Sequence, residues 1–131
     1  MKYTMREYIG KSVNISKLAD AIEDFFKEEN FKTQILHLQR GAFIQARKGG
    51  VFRSILAREG AFTITVEGTP LAFRIRMGVS KWNQFPSESS VEPLFSKPML
   101  TYDDIPESLW SYELEHHLWH YVETQVELGI L

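Results

Sequence analysis

A chain of 131 residues with 44% apolar side chains, nine Phe, five Tyr and three Trp is long and apolar enough to form one domain with a substantial core. It has no cysteine, which excludes disulfides, thiolate metal sites and a thiol nucleophile. The net charge of −2 conceals a division: residues 1–30 carry five basic and six acidic side chains, residues 31–82 nine and two, and residues 83–131 one and nine.

No run approaches the roughly 18 apolar residues of a membrane span, so no membrane contact is expected. The opening Met1-Lys2-Tyr3-Thr4-Met5-Arg6-Glu7 lacks the apolar stretch of a secretory signal. A cytoplasmic protein is the expectation.

Residues 3–9 are a candidate first strand, and Gly10-Lys11-Ser12 turns the chain. Asn14 or Ser16 can cap a helix over residues 16–29, where Leu18, Ile22, Phe25 and Phe26 recur at helical spacing. Asn30 is a suitable stop. Residues 31–39 read as a strand with no clean dry face, and Arg40-Gly41 leads into a strand over 42–48. Gly49-Gly50 suits a tight turn, and residues 51–58 fit a strand or one short helix face.

The clearest pattern follows. Residues 61–67 place Phe62, Ile64 and Val66 on one side; after Gly68-Thr69-Pro70, Leu71, Phe73, Ile75, Met77 and Val79 face one way and Arg74 and Arg76 the other. Period-two alternation predicts a hairpin with one buried and one wet face. Residues 83–106 hold four of the five prolines and predict an extended connection pinned to the body by its apolar residues. Residues 108–128 predict a final helix with Trp110, Leu114, Leu118, Tyr121, Val122 and Leu128 in one stripe. The sum is a single α+β domain: a two-layer antiparallel sheet with two helices on one face, in the order β-α-β-β-β-β-α.

That order is one half of the TATA-binding-protein fold and is close to helix-grip folds. Asn14-Ile15-Ser16-Lys17-Leu18-Ala19, Phe43-Ile44-Gln45-Ala46-Arg47-Lys48-Gly49-Gly50, Gly78-Val79-Ser80-Lys81-Trp82 and Glu113-Leu114-Glu115-His116-His117-Leu118-Trp119 resemble segments of a small uncharacterised prokaryotic family with a TATA-binding-protein-like fold. None of these is a catalytic signature, so the resemblance implies a fold and carries over no site residues.

Three constellations compete with bland readings. Arg47, Arg53, Arg74, Arg76 and Lys81 can form one basic sheet surface for a nucleic acid or phosphate ligand, although basic residues on a wet sheet face are ordinary. His116 and His120 share a helix face and imidazoles suit zinc, but the zincin pattern needs glutamate where His117 stands. A solvated face is preferred there, and neither metal nor cofactor is expected. Tyr112, Trp119 and Val126 form a second seam, placed roughly opposite the first stripe. It is either a homodimer or protein-partner contact or the seat of the proline-rich connection. The leading expectation is a non-enzymatic binding or interaction module, with the nucleic-acid or phosphate binder as the alternative.

Overall fold

The computed structural model describes residues 4–47, 60–96 and 112–129. In chain order the elements are β1 (Thr4–Ile9), α1 (Ile15–Glu28), β2 (Lys32–Leu38), β3 (Gly41–Arg47), β4 (Gly60–Thr69), β5 (Ala72–Lys81), α2 (Glu88–Val91), α3 (Pro93–Ser96) and α4 (Tyr112–Leu128). The strands form one antiparallel sheet in the order β1-β5-β4-β3-β2. The α1 crossover therefore carries the chain from one edge of the sheet to the other. This is the expected α+β two-layer architecture. The Gly49-Gly50 turn and the ambiguous stretch 51–58 lie outside the described residues, as do Trp110 and residues 108–111 of the expected last helix.

Local signals explain both ends of α1. The Asn14 side chain accepts the Lys17 N–H at 3.0 Å, satisfying one of the donors that a helix start leaves open. At the other end Asn30 adopts φ +67°. Asn30 N–H then bonds Lys27 O and Phe31 N–H bonds Phe26 O, each at 3.0 Å. This is the pattern of a Schellman cap, and the ring contact of Phe26 with Phe31 (5.3 Å between centroids) supplies its usual apolar clasp.

The hairpin turns at Pro70-Leu71, shifted along the chain from the expected Gly68-Thr69-Pro70; Leu71, expected on the buried face of the second strand, is instead an exposed turn residue. Gly68 has φ +133°, and an added Cβ would meet Ala72 O at 2.3 Å, so glycine is needed there. The turn is sewn to the β1–α1 loop, with Gly10 N–H on Leu71 O and Val13 N–H on Pro70 O.

The helix-side face of the sheet is apolar as the period predicts. Phe62, Ile64, Val66, Phe73 and Ile75 share one buried cluster with Leu18, Ile22, Phe25, Leu114 and Leu118. Two expectations are corrected. Trp119 and Val126 are 5% and 4% exposed and belong to that same cluster. At about 100° per residue they extend the stripe of Leu114, Leu118 and Val122 to one arc of roughly 140°, because α4 packs against both α1 and the sheet. The seam is not a separate exposed face, and the Tyr112 side chain lies outside the description.

The second correction concerns the expected wet face. Phe43, Gln45, Thr63, Thr65, Arg76 and Ser80 all point away from the long helices, and all are buried. The proline-rich connection is not uniformly extended; it forms α2 and α3. Ser87 caps α2 in a reciprocal capping box with Ser90, Pro93 opens α3, and Val91 is fully buried.

Candidate functional site

The second face of the sheet is a closed, largely polar layer. Gln45 Nε2 donates to Thr63 Oγ1, Ser80 Oγ and Lys81 O, while Gln45 Oε1 accepts from Gln34 Nε2 (2.8 Å) and from Asn83 N–H (2.9 Å). Gln34 Nε2 also donates to Asn83 O at 2.6 Å. A buried amide with both ends satisfied is rigid, and here it fixes the chain where it leaves β5.

The expected basic surface is dispersed by this closure. Arg76 is 6% exposed and donates to the carbonyls of Leu94 (3.0 Å) and Phe95 (2.6 Å) on α3. Arg74 pairs with Glu67 at 2.9 Å. Lys81 is exposed at the end of β5, and Arg53 lies outside the described residues. Arg47 instead stacks its guanidinium on the Trp82 ring, 4.2 Å from the centroid. The reason is tertiary: charge patterning marks five cations but not which of them a returning segment will cover.

The histidine stripe stays in solvent, with His116, His117 and His120 all exposed on α4. Among the described residues no three His, Cys, Asp or Glu side chains converge on a metal position.

A cleft of about 550 Å³ opens where the β1–α1 loop, the β2–β3 turn and the β4–β5 turn meet. Ser12, Ser16, His37, Arg40, Gly68 and Pro70 are among its walls. Its arrangement depends on two glycines: a Cβ on Gly41 would lie 2.0 Å from Val66 O, and Gly68 N–H bonds Arg40 O at 3.0 Å.

Beside this cleft His37 Nε2 lies 2.9 Å from Asp20 Oδ1 and its Nδ1 lies 3.3 Å from Ser16 Oγ. A carboxylate only accepts, so Nε2 carries a proton, and in the neutral imidazole Nδ1 then accepts from the serine. The connectivity is that of a nucleophile, base and orienting acid. Two observations favour a structural role. All three side chains are exposed, so the charge stabilisation that a water-excluded site provides is missing. The same seam also repeats one step along, where Thr33 Oγ1 donates to Glu23 Oε2 at 3.0 Å. Thr33 and His37, four apart on edge strand β2, clip it to Glu23, Asp20 and Ser16 on α1. The sequence offers no signal for this cluster, because only the α1 crossover brings residues 16 and 37 together.

Comparison with family models, with curated proteins and with solved structures returns no match for this chain.

Proposed function

We propose that the chain is a non-enzymatic binding module of the cytoplasm that takes a small polar ligand in the cleft at the amino end of α1. The observation that carries this reading is the cleft itself. Three connections converge on a concavity of about 550 Å³ whose walls mix apolar Val13 and Pro70 with Ser12, Ser16, His37 and Arg40. Concave sites with a few convergent polar groups are where small ligands bind. The element order and the sheet order β1-β5-β4-β3-β2 also support a TATA-binding-protein-like reading of the fold. A second copy or other protein partner would use a surface other than Trp119 and Val126, which the core occupies. Among the described residues no helix is long and apolar enough to cross a membrane.

The test is an amide-resolved titration with sugars, small carboxylates and nucleotides as separate probes. At least one class should shift the amides of residues 12–16 and 39–41 saturably, and Arg40→Ala should weaken that response. Probes that never perturb these amides would remove the reading. In parallel, p-nitrophenyl acetate should be hydrolysed equally by the wild type and Ser16→Ala; a serine-dependent rate would make the chain an enzyme.

A further inference from the structure

Lys32 and Arg47 stand directly opposite each other on β2 and β3. Like charges in that position repel, so the pairing opposes folding unless something offsets it. Among the described residues no carboxylate pairs with either one; the ion pairs involve Arg6, Lys11, Lys27, His37 and Arg74 instead. What both cations share is one indole. Arg47 Cζ lies 4.2 Å and Lys32 Nζ 6.0 Å from the Trp82 ring centroid. Trp82 is 9% exposed, and its chain neighbour Asn83 is clamped through both backbone groups by Gln45 and Gln34.

Stacking engages the flat face of a guanidinium and leaves the N–H donors around its edge directed outward. A stacked arginine is therefore a fork held in one orientation, with no donor consumed by the contact that holds it. The lysine beside it supplies a second positive charge. Two positive charges with outward donors match a dianionic tetrahedral oxyanion better than a singly charged carboxylate. A nucleic-acid strand fits less well, because the indole face is already covered and cannot stack a base.

We infer that Lys32, Arg47 and Trp82 form a receptor for the phosphoryl group of a small phosphate monoester, separate from the cleft and independent of what the cleft binds. The anion would bridge the two cations and relieve their repulsion, and the buried amide network would hold the receptor in shape before the ligand arrives.

The experiment uses the full isotope-labelled chain and follows the Arg47 Nε–H and Trp82 indole N–H signals. Inorganic phosphate, phenyl phosphate, acetate and single-stranded oligothymidylate are the probes. Phosphate and phenyl phosphate should shift both signals saturably at millimolar concentration, with acetate much weaker. Arg47→Gln and Lys32→Gln should each weaken phosphate binding by about tenfold or more, and Arg47→Lys should not restore it because the fork is lost. Thermal unfolding of each variant shows whether the fold survives, and the wild-type shifts decide the matter should a variant unfold. The inference is overturned by the absence of saturable shifts at these two groups. It is equally overturned if folded Arg47→Gln titrates like the wild type, or if oligothymidylate binds tightly and phosphate does not displace it.

Discussion

Phe73 sits where the sheet and the helix layer meet. It is 3% exposed and stacks on Tyr8, with ring centroids 5.1 Å apart. Phe73→Ala should destabilise the chain by about 3–5 kcal/mol, read from the denaturant midpoint at constant slope. Tyr8 itself carries a pH dependence. Burial, reinforced by the Glu123 carboxylate and opposed by Arg6, pushes its hydroxyl up from 10.0 to about 12. The folded state thus favours the neutral phenol, so this contribution is complete below pH 10 and is lost as pH rises from about 10 through 12. Tyr8→Phe should flatten the alkaline limb of the stability curve in that window. Among the described residues the Tyr8 hydroxyl has no hydrogen-bond partner, so the same change should be nearly neutral at pH 7. An unchanged alkaline limb would count against this environment.

Elements show where sequence reasoning succeeds and where it stops. The α1 stop was legible because Asn tolerates the left-handed conformation that a Schellman cap requires. Asn30→Ala should destabilise by about 1–2 kcal/mol, while Asn30→Gly should be close to neutral. The hairpin was legible too, since one apolar face settles its register. Polar residues on the opposite strand positions gave the wrong environment, because Gln45, Thr63 and Ser80 look solvated until residues 83–96 fold back over them. No local pattern announces that return. Arg76 records it most directly: Arg76→Ala should cost about 1.5–3 kcal/mol and speed amide exchange in α2 and α3, as the clamp on Leu94 and Phe95 is removed. The seam on α4 was misplaced for an angular reason, since Trp119 and Val126 widen the buried arc rather than opposing it. Trp119→Glu should therefore lower Tm to the same extent at every protein concentration, whereas an interface residue would make the loss concentration-dependent.

At the scale of the whole molecule, charge division and charge pairing differ. The described ion pairs of the acidic C-terminal third fall on the N-terminal segment: Glu123 meets Arg6 on β1, and Glu127 meets Lys11 at 3.0 Å in the following loop. Both pairs are largely solvated and contribute little stability. The basic middle of the chain is instead divided between a buried arginine, a paired arginine and the stacked corner at Trp82. The cleft, like that corner, lay beyond sequence reasoning because it needs three connections, the end of β2 and the start of α1 to come together. With the second sheet face closed, the recognition we propose falls at the ends of the sheet. Amide-resolved mapping of the wild-type chain with the combined set of small polar and anionic probes tests it most directly. Perturbations should gather at residues 12–16 and 39–41 and around Lys32, Arg47 and Trp82. A saturable response running along Thr65, Arg74 and Arg76 would show an open sheet face and rule this arrangement out.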